Sequence, residues 1–145
     1  MKSSYPELPI KVQLICYHQS SEGLHVLLLK RVPEDGGFWQ TLTETLEFEE
    51  SLAECIPRAL SEEIGITHKN DYHVHSEIHR FSWIKKDYSV VELVYPVEIF
   101  HQDIQISQEH SEYQWKPLDQ AIDIIGKSNT KDCLKRFQDF IDQSL

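Results

Sequence analysis

Two hydrophobic rhythms follow one another along the chain, and their order predicts the architecture. Residues 10–17 read IKVQLICY, with Val12, Leu14 and Cys16 alternating against Lys11, Gln13 and Ile15. Apolar residues on both phases of a period of two predict a mostly buried strand. Residues 24–30, LHVLLLK, predict a second strand, paired with the first as a hairpin through HQSSEG. The PEDGG loop at 33–37 follows, then FWQTL at 38–42, again of strand composition. Residues 44–50 break the rhythm. They are acidic and are expected to be irregular, with Glu44, Glu47 and Glu49 in a solvated loop.

The period then changes. Between residues 51 and 64, Leu52, Ile56, Ala59, Leu60, Glu63 and Ile64 fall largely on one side of a helix. Ser51 with Glu54 three residues on forms a capping box, and Gly65 supplies the stop. Pro57 lies inside, removes one backbone donor and is expected to bend the helix. Residues 73–83 and 89–100 predict two long strands, with Lys85, Lys86 and Asp87 in the turn. A short strand at 112–116 leads through Pro117 to helices at 118–125 and 130–141. Strands, helix, strands, helices predict one α/β (α+β) domain over residues 1–145, a mixed β-sheet sandwiched between helices.

Composition narrows the partners. The formal net charge of -10 repels phosphate-rich duplexes, so no nucleic acid duplex is expected. A small phosphorylated ligand stays possible, because a divalent cation inverts the local sign. No apolar run approaches the roughly 20 residues of a membrane span. MKSSYPELPIK carries no apolar signal core, and Cys16, Cys55 and Cys133 are scattered and odd in number. These features predict a cytoplasmic protein with reduced thiols.

The chemistry concentrates in TETLEFEESLAECIPRALSEEIGI, residues 43–66. Glu62 and Glu63 are adjacent, about 100° apart on a helix, so both can approach a cation beside it. Arg58 stands four residues before Glu62 and within loop reach of Glu50, so an Arg58 ion pair with Glu50 or Glu62 is expected. Spacing alone fits a solvated acidic face as well as a cation site. His73, His75 and His79 share a strand face by parity, and surface or substrate-face roles suit them better than metal ligation. Trp39, Phe81 and Trp83 suit either base stacking or sheet packing. Lys30 and Arg31 end a strand, as phosphate contacts or as solvated strand-end charges.

The same stretch resembles the signature of Nudix hydrolases, G-x5-E-x7-R-E-U-x-E-E-x-G-U, with U aliphatic. Glu50, Arg58, Leu60, Glu62, Glu63, Gly65 and Ile66 match in register. Glu44 stands where the pattern opens on Gly, and Ala59 where it has the Glu after Arg. Phe38-Trp39-Gln40, the run Gln108-Glu109-His110 and Tyr113 to Leu118 further resemble bacterial dihydroneopterin triphosphate pyrophosphohydrolases, also labelled dATP pyrophosphohydrolases. The resemblance implies a Nudix fold and hydrolysis of a nucleoside or pterin triphosphate with Mg²⁺ or Mn²⁺. It implies Glu62, Glu63 and Glu109 as metal ligands and Arg58 as the residue that orients the acidic helix, paired with Glu50. Lys30, Arg31, Trp39 and Gln40 are its candidates for substrate contact, in a monomer or homodimer. With Ala59 unable to bind a cation, it implies attenuated activity. The alternative is a Nudix-fold protein that only binds nucleotides or another protein.

Overall fold

The structure, a computed structural model, describes residues 7–144. Residues 1–6, part of the N-terminal stretch read above, and residue 145 lie outside. The strands are β1 (Glu7–Ser20), β2 (Gly23–Arg31), β3 (Trp39–Gln40), β4 (Leu42–Glu47), β5 (Tyr72–Val74), β6 (His79–Lys85), β7 (Tyr88–Ile99) and β8 (His110–Pro117). The helices are α1 (Leu52–Ile64), α2 (Leu118–Ile124) and α3 (Ser128–Gln143). β1 is the hub: it pairs antiparallel with β2 and β4 and parallel with β7. β8 and β3 add to β2, while β5 and β6 add to β7. The sheet is therefore mixed, with helices on both faces.

The double apolar phase of β1 explains this arrangement. Val12, Leu14 and Cys16 enter one core with Leu42, Leu46 and the α1 residues Ile56, Ala59, Leu60 and Ile64. Ile15 and Tyr17 enter the other with Val94, Leu118, Ala121, Cys133, Leu134 and Phe137, under α2 and α3. All three cysteines are free and buried. Burial pushes the Cys16 thiol up to about 12, which removes it from thiolate chemistry at neutral pH.

Helix α1 begins and ends as its sequence predicts. The Ser51 hydroxyl accepts from the Glu54 amide at 3.1 Å, and the Glu54 carboxylate accepts from the Ser51 amide at 3.0 Å. Gly65 closes the helix at φ 70, and a Cβ there would stand 3.0 Å from the Gln105 Cβ. The helix runs through Pro57. Both Pro57 and Ala53, whose carbonyl loses its donor, are exposed, so water serves the freed oxygen.

Two expectations need correction. Residues 44–47 are strand, not an irregular solvated loop, and Glu44 and Glu47 are buried. Leu42 and Leu46 anchor β4 in the core, and the period of two carries Glu44 inward between them. Glu49, at the turn beyond, is exposed as expected. Residues 73–83 are not one strand. Val74 pairs with Val97 and His79 with Val94, so four residues on one side oppose two on the other. Pro96 sits in that gap and has no N–H to give the ladder, which interrupts it there.

Candidate functional site

Arg58 is the centre of the acidic region. It projects from α1 toward the β4 end and the turn after it. Its Nε donates to Glu50 Oε2 at 2.6 Å and its Nη2 to Glu50 Oε1 at 2.9 Å, a two-pronged pair. Nη1 donates to Glu62 Oε2 at 3.2 Å, so the expected pairing with Glu50 or Glu62 is met by both. Nη2 also donates to the Thr45 carbonyl at 2.9 Å. Glu44 and Glu47 approach the guanidinium at 3.5 and 3.6 Å. One cation thus faces four carboxylates. The hydrogen bonds to Arg58 hold the Glu50 carboxyl below the usual range. The same partner raises the Arg58 guanidinium, which stays charged at any working pH.

The buried side of α1 behaves differently. Glu63 lies one turn beyond Ala59, and only 4% of it is exposed. The segment after β7 is tied along the end of the helix: the Gln105 amide donates to the Ile64 carbonyl at 3.0 Å and the Ser107 amide to the Glu63 carbonyl at 3.2 Å. These bonds satisfy carbonyls that a helix end leaves open. They also deliver side chains. The Ser107 hydroxyl donates to Glu63 Oε1 at 2.6 Å and accepts from the Glu109 amide at 3.3 Å. The Glu109 carboxyl reaches Glu63 itself. Burial first, then the hydrogen bond with Glu109, pushes the Glu63 carboxyl up to about 7, against the opposing effect of Ser107. Two carboxyls in one buried place hold a proton between them more easily than two charges.

The structure brings Glu63 and Glu109 together and turns Glu62 toward Arg58. Among the described residues, no group of three or more His, Cys, Asp or Glu is disposed to hold a metal ion as it stands. The donor chemistry of the Glu63–Glu109 pair nevertheless fits a hard divalent ion, since both offer carboxylate oxygen and lie close enough to repel without one. Ala59 is fully buried in the core.

The candidate substrate contacts scatter. Arg31 is held by Asp35 at 2.9 Å, and Lys30 Nζ lies 5.8 Å from the centre of the Trp39 ring. Trp39 packs partly against the core under α3, as does Phe81. Gln40 Nε2 stands 3.0 Å from Nε2 of the buried His110, the residue after Glu109. Burial, with the nearby Arg31 charge, lowers the His110 imidazole and favours its neutral form. The strand histidines do face α3. His75 meets Phe140 and bonds the Tyr17 hydroxyl at 2.9 Å, while His79 stacks on Phe81.

Sequence reasoning missed a polar group under the sheet. Glu92, on β7, is buried and accepts from Gln13 Nε2 at 2.7 Å and Trp83 Nε1 at 3.0 Å. The buried Thr41 hydroxyl donates to Gln13 Oε1 at 2.9 Å. The signal was available in the parity of Gln13 and Glu92, polar residues inside otherwise apolar strands.

Comparison with known proteins agrees with this fold. The chain belongs to the Nudix domain family, which matches residues 9–137. It is 30% identical over 125 residues to an octanoyltransferase of Myxococcus xanthus, covering 77% of this chain. The chain spans 31% of that protein's length. Its fold is similar to that of an Ap4A hydrolase of C. elegans, with a TM-score of 0.80, 21% identity and coverage of 92% of this chain and 98% of that one. It is also similar to the dihydroneopterin triphosphate pyrophosphohydrolase of E. coli, with a TM-score of 0.74, 18% identity and coverage of 92% and 97%.

Proposed function

We propose that this chain is a divalent-metal-dependent pyrophosphohydrolase that cleaves a nucleoside or pterin triphosphate to monophosphate and pyrophosphate, at an attenuated rate. The observation that carries the reading is the Glu63–Glu109 pair, two carboxyls pressed together at the end of α1 with Ser107 orienting one of them. Family membership and the likeness of fold to a pyrophosphohydrolase acting on dihydroneopterin triphosphate support it.

In this reading Glu63 and Glu109 hold Mg²⁺ or Mn²⁺, and Glu62 joins them on leaving Arg58. When bound, the cation offsets the charge of the phosphates and polarises a phosphoryl oxygen. Arg58 keeps the β4 end and the acidic helix in place through Glu50. Attenuation follows from Ala59, which offers a methyl group where the Nudix pattern has a carboxylate. The second reading, a protein that binds nucleotide without hydrolysing it, is favoured by the same residue and by the engagement of Glu62 with Arg58.

The test is release of inorganic pyrophosphate from dATP, GTP and dihydroneopterin triphosphate with and without Mg²⁺. Mg²⁺-dependent release that Glu63→Gln abolishes supports the hydrolase. Binding of these nucleotides with no release supports the second reading.

A further inference from the structure

Arg31 ends β2 next to the strand that carries Glu109 into the site. Its Cα partner on β8 is His110, and the amide of the following residue, Val32, donates to the Glu109 carbonyl at 3.2 Å. The pairing slips at this point: Lys30 faces Glu112 and Arg31 faces His110, so β8 carries one extra residue, Ser111. A bulge of this kind re-aims the side chains beside it. The Arg31 guanidinium meets the loop that follows, where its Nη2 donates to Asp35 Oδ2 at 2.9 Å. A guanidinium has five N–H donors, and this bond uses one.

The loop does not need that bond for its shape. The Asp35 amide donates to the Val32 carbonyl at 2.9 Å, the Gly36 amide to the Pro33 carbonyl at 3.1 Å and the Gly37 amide to the Val32 carbonyl at 3.2 Å. The Arg31 amide donates to the Phe38 carbonyl at 2.9 Å and closes the base. Gly36 at φ 105 and Gly37 at φ 64 supply the left-handed backbone of the turn. The side chains of Arg31 and Asp35 are 26% and 46% exposed. An exposed pair of this kind contributes little to stability. Arg58 is the contrast, since Glu50 binds it through two prongs and the Thr45 carbonyl through a third bond. The Arg31–Asp35 pair therefore opens at small cost. A phosphate group, which takes a guanidinium through two parallel bonds, is the stronger partner.

We propose that Asp35 is a built-in competitor for the phosphates of the substrate: it holds the Arg31 guanidinium at the strand end beside Glu109, and a diphosphate group must take the arginine from it. Phosphate binding is then weakened by the share of molecules in which Arg31 sits on Asp35, and removing the competitor returns that share. Glu34, the neighbouring carboxylate of the same loop, is exposed and stands outside the pair. It carries the same charge without the contact. The inference rests on the hydrolase reading for where the phosphates lie, and its own content is the control of Arg31 by Asp35.

The experiment is equilibrium binding of imidodiphosphate to the full chain with Mg²⁺, by calorimetry. The bridging nitrogen of this probe resists hydrolysis, so turnover does not enter. Asp35→Asn should bind it about two- to fivefold tighter than the unaltered chain, the scale of one exposed ion pair. Glu34→Gln should stay within about 1.5-fold of the unaltered chain at 0.15 M salt, where charges out of contact are largely screened. Arg31→Gln should bind more weakly, and adding Asp35→Asn to it should change nothing further, because the two residues act through one contact. Should Arg31→Gln fail to fold, the comparison of Asp35→Asn with Glu34→Gln decides alone. No gain in Asp35→Asn, an equal gain in Glu34→Gln, a gain that survives without Arg31, or no binding by any of these proteins would overturn the proposal. Pyrophosphate release from a triphosphate with no effect of Asp35 on binding would sink this inference and leave the hydrolase standing. The Asp35 effect without any release would do the reverse.

Discussion

The two faces of the sheet handle buried carboxylates in opposite ways. Under α1, Glu44, Glu47, Glu50 and Glu62 share one guanidinium, and Glu63 leans on Glu109. Under α3, the single carboxylate of Glu92 receives two N–H donors and sits beside Lys11 in the sheet. The first region gathers four carboxylates around one guanidinium and sets two more side by side. The second is a chain of matched donors and acceptors. A region of the first kind is held together by one residue and responds strongly to added positive charge. A region of the second kind is set in advance and changes little when a cation is added.

The sharpest way to break the comparison is to remove the shared cation. Arg58→Ala leaves carboxylates that are largely withdrawn from water facing one another. Leaving buried charge without its partner typically costs about 3–5 kcal/mol. The partial exposure of Arg58 moves the expectation to the lower end of that range. Urea unfolding of the variant should show it, and Arg58→Lys should recover only part, because an ammonium cannot make the two-pronged contact with Glu50. A loss under about 1 kcal/mol would mean that the acidic region is not organised by Arg58.

Next in size is Ala59→Glu. Ala59 is fully buried, one turn before Glu63. The introduced carboxylate enters the hydrophobic core one turn from Glu63, so without metal the variant should lose about 2–3 kcal/mol. Millimolar Mn²⁺ should return most of that loss, since a ligand that binds only the folded state stabilises it by mass action. The proposed hydrolysis should rise with it. Melting curves with EDTA and with Mn²⁺ give the answer: a loss that metal does not reduce places position 59 outside any cation site.

Much of this arrangement was legible in the sequence, and the failures have physical causes. The caps of α1 and the Arg58–Glu50–Glu62 spacing are local, set by neighbours within a turn or two, and local rules read them. Glu44 was misread because composition suggested a solvated loop, while the position of Leu42 and Leu46 in the core turned it inward. The break at 75–78 was missed because its cause, Pro96, lies on the partner strand. The Glu92 network joins residues from three strands, with 79 positions between Gln13 and Glu92. No window along the chain contains it. Glu109 reaches Glu63 through a loop bonded to a helix end, and resemblance to a family pointed to it where spacing could not.

A pH dependence on the α1 face follows from its carboxyl pair. The Glu63 carboxyl is raised from its ordinary 4.5 to about 7 in the folded protein. Between those values the folded state binds the proton and the unfolded state releases it. The stabilisation from this group is therefore complete below about pH 4.5 and lost as pH rises through about 7, on the order of 3 kcal/mol in all. Denaturant midpoints for the unaltered chain and Glu63→Gln, compared from pH 5 to pH 8, isolate it. The difference between the two proteins should change across that window in the direction stated. A constant difference would show that Glu63 does not titrate there.

The smallest effect tests the other face. Thr41→Val keeps the shape of a side chain that is 1% exposed and removes the hydroxyl that donates to Gln13. A buried hydrogen bond lost while its partner stays in place costs about 1–2 kcal/mol. Stability should fall by that amount at every pH between 5 and 8 and should not respond to Mn²⁺, unlike the Ala59 and Glu63 variants. A second readout is more specific. With its oxygen no longer held, the Gln13 amide can turn, and Glu92 then loses one of its two fixed donors. The Trp83 indole, bonded to the other oxygen of Glu92, reports the change as a shift in fluorescence in the absence of any ligand. Trp39 and Trp115 lie outside the network and serve as the background, so Trp83→Phe in the unaltered chain identifies the signal. A Thr41→Val protein with unchanged stability and unchanged Trp83 emission would mean that Gln13 is fixed by its neighbours in the strands, and that the matched order of this face does not begin at Thr41.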